Sequence, residues 1–447
     1  MYFLGVLFVA LGVSVSIALH EVGHLLPAKK FGVKVTQYMV GFGPTVWSRK
    51  RGETEYGLKA VPLGGYIRMI GMFPPKPGAD PSILRSSSTG RFSQLMDQAR
   101  EESMEQVKAG DENRVFYKLS VPKKLVVMLG GPTMNLVIAV VLLTGIFSLY
   151  GIGEITARVS AVSQCVQTVP ATGTAAPKCS PTDPQAPANL AGIRPGDRII
   201  SLAGKPVSSW DDVRAMIRPN GGRRIDVVVE RDGRRLDLKA TPILNDVPRV
   251  DASGNVVVGA DGKVLTDRVG FMGFSPSAEI VKQPLAAAPA LIADQVARTA
   301  GVVFRIPQKM VGIAQAAFGN GARDPNGPMS VVGVGRVAGE VADGQLAGVA
   351  ESGSSKFVVL ISLIASLNLA LFVFNLIPLL PLDGGHAAGA LWEGLKRQVA
   401  RLRGRPNPGY VDVAKALPVA YAVSIALIGM SVLLIYADVV NPIKLGG

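Results

Sequence analysis

Histidine and cysteine are both scarce in this chain, at three and two among 447 residues. Nothing around the two cysteines, Cys165 and Cys179, marks a catalytic thiol. Acidic residues are outnumbered, 33 against 47 Lys and Arg, giving a formal net charge of +14. That surplus does not form a nucleic-acid recognition stripe. It crowds the flanks of apolar runs: Lys29, Lys30 and Lys34 after the first, Lys123 and Lys124 before the second, and Lys396, Arg397, Arg401, Arg403 and Arg405 after the third. This is the positive-inside pattern of membrane proteins. Residues 1–19 carry no charge at all. A basic n-region is therefore missing and the first run is too long, which argues against a cleavable signal peptide. With 48% hydrophobic residues, a disordered chain is excluded.

Four runs approach the roughly 20 residues needed to cross the hydrocarbon core: about 2–26, 124–150, 357–380 and 416–438. The basic segments between spans one and two, and between three and four, set those segments on the cytoplasmic side. Both termini and the long 151–356 segment then lie outside. Cys165 and Cys179 fall in that outer segment. An oxidising compartment allows them to pair, closing a loop of about 15 residues worth roughly 3 kcal/mol. Two unpaired thiols in an insertion are the alternative.

The chemistry is concentrated in His20-Glu21-Val22-Gly23-His24, close to the end of the first run. Histidines four apart on a helix share a face and can share a metal, with a glutamate beside them for base chemistry. At a rise of about 1.5 Å per residue they sit roughly 8–14 Å short of Lys29, within the bilayer. Ionisable groups there are expensive and mark function. A zinc hydrolase needs three protein ligands and an open position. The third is His386, the one remaining histidine, or a carboxylate. Asp383, in Leu382-Asp383-Gly384-Gly385, lies beyond the third apolar stretch and before the basic cluster, at a depth matching His24. Prolines and glycines around it break the helix and permit an inward turn.

These features resemble the site-2 protease family of intramembrane zinc metalloproteases. The motifs that carry the resemblance are His-Glu-x-x-His in a first span, and Asn375-x-x-Pro378 with Leu382–Gly385 after a later one. Gly131-Pro132-Thr133-Met134-Asn135 falls on the second span, and Gly41–Pro44 with Pro62–Tyr66 on a β-hairpin. The likeness is greatest to actinobacterial members with a single PDZ domain. It implies that His20, His24 and Asp383 bind one Zn2+ per chain. Glu21 is then the general base, taking a proton from the metal-bound water and passing it to the leaving amine. Asn375, Asn135 and the hairpin positions Gly43 and Gly65 are expected to hold substrate backbone. A spanning helix must be locally unwound to be cut, and its freed N–H and C=O groups need partners that hydrocarbon cannot supply.

The expected fold class is a polytopic α-helical membrane protein of about four transmembrane helices. To this are added a cytoplasmic-side, membrane-associated β-hairpin and one extracytoplasmic PDZ domain. By residue the expectation is helix 1 with the metal motif over 1–27, and a cytoplasmic segment over 28–122 with the hairpin at 41–70 and a polar insertion carrying a helical piece from Phe92 to Lys108. Helix 2 is expected over 123–151 and the PDZ domain over 152–278. An amphipathic helix at the outer membrane face follows over 279–320, with a fifth span as its alternative, and then a linker over 321–356. Helix 3 with Leu-Asp-Gly-Gly takes 357–395, a basic cytoplasmic loop 396–415, and helix 4 416–440. The PDZ string Ala191-Gly192-Ile193-Arg194-Pro195-Gly196-Asp197 is followed by a short helix from Trp210 to Ile217, a hairpin at Asp232-Gly233 and a last strand over Val269–Phe274.

The expected function is hydrolysis of peptide bonds in or near the transmembrane helix of single-pass membrane proteins in the bacterial cell membrane. Anti-sigma factors already trimmed by an upstream site-1 protease are the expected substrates, and nucleic acid is not an expected partner. A membrane-anchored PDZ scaffold with a structural or vestigial metal site is the rival, as is a hydrolase of lipid or small molecules.

Overall fold

A computed structural model describes the chain except residues 76–106, 167–178, 180–182, 250–256, 258–263, 320–322, 325–326, 346–352 and 444–447. It divides into two compact units, Met1–Leu149 with Pro284–Gly447, and Tyr150–Gln283.

Among the described residues of the first unit, four helices are long and apolar enough to span a membrane: Tyr2–Lys30, Val121–Tyr150, Gly353–Asn375 and Val413–Val440. Helix α1 (Tyr2–Lys30) carries no charged side chain before Glu21, and Lys29 and Lys30 stand in its last turn. Its outward face, with Phe3, Leu4, Leu7, Leu11 and Val15, is exposed. Such a helix is stable only where lipid replaces water. A long hairpin follows, β1 (Val35–Arg51) against β2 (Thr54–Met69), turning at Gly52. It begins before residue 41, where the sequence places its start. Helix α2 (Val121–Gly145) packs on α1. The crossing is made by glycines: a Cβ on Gly23 would strike the Gly130 carbonyl, and one on Gly130 the Gly23 carbonyl. Small residues at a crossing let two backbones touch, as membrane helices commonly do. Leu25, Ala28, Val35, Met69, Val127, Met128 and Ala387 close one core over α1, α2 and the hairpin base.

Three expectations need correction in this unit. The segment 321–356 is not simply a linker, because Val331–Asp343 is a helix, capped by the Ser330 hydroxyl and ended by Gly344. Its Val337, Ala338 and Val341 pack with Val9, Leu360 and Ile364. The third span stops at Asn375, and Leu376–Leu382 is not helical. A separate helix then runs from Asp383 to Leu402, so Lys396, Arg397 and Arg401 are helical rather than in a loop. The expected helix over 279–320 is two, Ala288–Phe304 and Ile306–Phe318, broken at Arg305 ahead of Pro307. The helical piece expected from Phe92 to Lys108 lies outside the described residues except for its last two.

In chain order the elements used below are then α3 (Trp210–Ile217), α4 (Gly353–Asn375) and α5 (Asp383–Leu402). The second unit is a six-stranded sheet with a separate two-stranded ribbon. Val159, Ile199, Leu202, Val213, Ile217, Val227 and Val229 fill its core, with α3 closing one face. Ser209 and Asp212 form a capping box at the start of α3. Asp232 and Gly233 take positive φ in a two-residue hairpin. The strand expected over Val269–Phe274 is split at Gly273. Thr266–Phe271 pairs with Ile243–Pro248, whereas Phe274–Val281 pairs with Ile152–Val162. Cys165 and Cys179 are joined by a disulfide.

Asp197 is fully buried in this unit. Its carboxylate accepts from Arg231 Nε at 2.7 Å, Arg231 Nη2 at 2.8 Å and the Arg194 N–H at 2.8 Å. Burial opposes ionisation, but the Arg231 guanidinium and the Arg194 N–H outweigh it and hold the carboxyl below its ordinary range. A depressed carboxyl stabilises the fold above its unfolded-state pKa and loses that contribution as pH falls through the folded value. Asp197→Asn therefore costs about 1.5–3 kcal/mol near neutrality and flattens the acid limb of stability. Hydrogen exchange of residues 150–283 in the intact protein at pH 7 and in acid measures both.

Candidate metal centre

His20 and His24 face the same side of α1, with Nε2 atoms 3.3 Å apart. Asp383 Oδ2 lies 3.3 Å from His20 Nε2 and 3.4 Å from His24 Nε2. These are the described residues whose ligand atoms could together hold a metal ion. Asp383 opens helix α5, and the two glycines behind it explain how it arrives. A Cβ on Gly384 would meet the Ile377 carbonyl, and one on Gly385 would lie 2.5 Å from Leu380 N. Only a chain without side chains there can fold the Leu376–Leu382 segment back on the start of α5.

The donor set fits zinc on two observations. In a tetrahedral zinc site with Zn–N and Zn–O distances of about 2.0–2.1 Å, ligand atoms lie roughly 3.3–3.4 Å apart, the separation found among these three. Secondly, Gly131 of α2 stands opposite the pair. A Cβ there would fall on His24 Nε2 and lie 2.7 Å from His20 Nε2, so the missing side chain leaves the space free.

The same helix holds the far sides of both imidazoles. His24 Nδ1 donates to the Val127 carbonyl at 2.7 Å, and Asn135 Nδ2 lies 3.0 Å from His20 Nδ1. Val127, Gly131 and Asn135 are spaced i, i+4, i+8, one stripe of α2. Hydrogen-bonded imidazoles are the usual support of a metal site, because the partner fixes which nitrogen is free.

Glu21 is buried beside the cluster. Gly65 of β2 packs against it, with a Cβ there falling 3.0 Å from Glu21 Cγ. The hairpin is pinned to α1 by Tyr38, whose hydroxyl donates to the Ala18 carbonyl at 2.8 Å. Burial first, and the Glu21 carboxylate second, push the Tyr38 phenol up to about 12. It therefore stays a neutral donor.

The remaining sequence candidates fall in different places. Asn375 ends α4 half-buried, and its amide has no hydrogen-bond partner among the described residues. Asn135 is fully buried and engaged with His20. Gly43 lies on the exposed part of the hairpin, where a Cβ would meet only Val61 Cγ2 at 3.8 Å. His386 lies outside the metal-capable group and lines a small cavity with Lys124, Tyr117 and Glu393. Sequence reasoning missed the Lys124–Glu393 ion pair at 2.8 Å, which fastens α5 to α2, and the part played by Gly131. Spacing from Val127 to Asn135 was the available signal for the second.

Comparison with known proteins agrees with this geometry. The model of peptidase family M50 matches residues 8–418. Zinc metalloprotease Rip1 of Mycobacterium tuberculosis is 34% identical, with 100% of this chain and 99% of that protein covered. Its counterpart in Mycolicibacterium smegmatis is 33% identical over the same shares. Metalloprotease MmpA of Caulobacter vibrioides is 26% identical over 87% of this chain and 86% of its own. A full-length match at this level decides against a non-enzymatic scaffold. The chain belongs to peptidase family M50, the site-2 proteases, and is a zinc metalloendopeptidase of that type.

Proposed function

We propose that the protein cuts single-pass membrane proteins within or near their spanning helix, acting on chains such as anti-sigma factors after another protease has trimmed their outer part. One observation carries the reading: two histidines and a buried glutamate on a helix of membrane length meet a carboxylate at the head of α5 to form a zinc-type donor set. In this assignment His20, His24 and Asp383 hold the ion. Bound zinc polarises a scissile carbonyl and brings the pKa of water near 7. Glu21 takes up a proton on its carboxylate and returns it to the leaving amine, a role its seat beside His20 and His24 supports. Asn375, with an unengaged amide at the end of α4, bonds backbone groups of an unwound substrate. Gly65 leaves Glu21 its space, since a Cβ there would fall 3.0 Å from Glu21 Cγ, and offers only backbone groups to a substrate.

The 150–283 unit is read as a PDZ domain on the outer side of the bacterial cell membrane, together with both termini. Its sheet and capped helix, and the Ala191–Asp197 string, support that reading. A PDZ domain would pair with extended peptide along a sheet edge and exclude proteins whose outer domains are still attached. The basic residues flanking the spans support the orientation.

The test uses the full-length protein in lipid vesicles with a single-pass substrate, either trimmed or carrying its outer domain. Fragments mapped by mass spectrometry are expected to end inside the apolar segment of the trimmed form. Chelation of the metal abolishes them and added zinc restores them. Cuts confined to soluble loops, or equal cutting of both forms, would overturn the proposal.

A further inference from the structure

We infer that Asn135 is a positioning residue for the metal centre, its amide oxygen accepting the Nδ1–H of His20, rather than a holder of substrate backbone. The inference rests on the zinc assignment proposed above.

The argument begins with the two imidazoles. An imidazole that offers a lone pair at Nε2 carries its proton on Nδ1, and that proton needs an acceptor. His24 has one in the Val127 carbonyl, at 2.7 Å. His20 Nδ1 has one neighbour within hydrogen-bond distance among the described residues, the Asn135 side-chain amide at 3.0 Å. An amide presents either its oxygen or its NH2 group from the same outline, and the partner decides which. Whichever amide atom points away from His20 is buried with no partner among the described residues, so the imidazole decides: with Nδ2 toward His20, the histidine proton is driven to Nε2, where a metal would bind. With the oxygen toward His20, the proton stays on Nδ1 and both Nε2 atoms converge on Asp383 as acceptors.

Placement supports the same role. Asn135 is fully buried, whereas Asn375 is half-buried with its amide unengaged. The two asparagines thus divide the work: one faces a ligand's far nitrogen, the other is open to an incoming chain. Val127, Gly131 and Asn135 form one stripe on α2, so a single helix face supplies an acceptor for each histidine and the gap between them. The i, i+4 spacing of the histidines on α1 meets an i, i+8 spacing of acceptors on α2, running in opposite directions.

The test is a zinc-affinity measurement by chelator competition on full-length wild type, Asn135→Ala and Asn135→Asp. It is paired with the visible spectrum of the cobalt-substituted proteins and with kcat and KM at saturating zinc. Asn135→Asp keeps an acceptor and cannot donate, so its zinc affinity and cobalt spectrum stay close to wild type. Asn135→Ala loses the acceptor and weakens zinc binding by about 10- to 100-fold, with KM unchanged once zinc saturates. A raised KM in Asn135→Ala with unchanged zinc affinity would return the residue to substrate binding. Zinc affinity lost in Asn135→Asp and kept in Asn135→Ala would also overturn the inference. The zinc assignment itself is tested apart from this, with His20→Ala and His24→Ala: if both keep wild-type zinc affinity, that assignment fails instead.

Discussion

Glu21→Gln lowers peptide cleavage by about 10²- to 10⁴-fold while the protein keeps its zinc, the size of loss expected when a positioned general base is removed. The substitution is nearly isosteric, which matters here because Glu21 is buried and even a Cβ added on Gly65 would fall 3.0 Å from Glu21 Cγ. An amide retains the outline of the carboxylate but cannot take up a proton. Loss of turnover with one zinc per chain therefore reports on proton transfer and not on a collapsed site. The measurement is turnover of a reconstituted single-pass substrate with metal content determined on the same sample. Turnover near wild type in the zinc-loaded variant would remove Glu21 from the chemistry.

Gly131→Ala is expected to empty the site. The added methyl falls on His24 Nε2 and close to His20 Nε2. To make room α2 would have to pull away from α1 and give up the close backbone approach at Gly23 and Gly130. Failing that, the imidazoles must swing apart, and zinc affinity drops by at least about 100-fold, beyond what loss of a supporting hydrogen bond does. Gly145→Ala is the control on the same helix. Nothing lies within 4 Å of its would-be Cβ, so zinc affinity stays at the wild-type value. Chelator competition on the two variants distinguishes a blocked site from a general effect of alanine on α2. Equal affinity in both would mean that the Gly131 gap has no bearing on the ion.

The spans were legible because composition alone specifies them: a run without charge, ended by lysines, has few other stable homes. The His20–His24 pair was legible because a spacing of four puts both on one helix face. Asp383 could be matched to them only by depth, since the glycines that fold the chain back at Leu376–Leu382 act through contacts no pattern records. Glycine contacts escape the pattern elsewhere for the same reason. The segment 321–356 reads as a linker, yet Val331–Asp343 is a helix in which Gly333 and Gly339 lie where a side chain would strike Asp438 or the Tyr2 ring. The basic cluster after residue 395 read as a loop because charge marks sidedness and says nothing of backbone conformation. Asn135 was readable as polar and near the site, but its engagement with His20 depends on a helix crossing set by Gly23 and Gly130.

The Lys124–Glu393 pair and the Gly384–Gly385 fold-back make the order of synthesis matter. A ribosome that has delivered α1 and α2 to the membrane has made two of the three proposed ligands and the base. The third is still untranslated until α4 has been inserted, and it arrives at the head of a helix that must dock on α2 before the carboxylate can turn inward. On the proposed roles an unfinished chain is therefore an inert one: it carries Glu21 among neighbouring membrane proteins until Asp383 has been made, without a complete donor set to cut them.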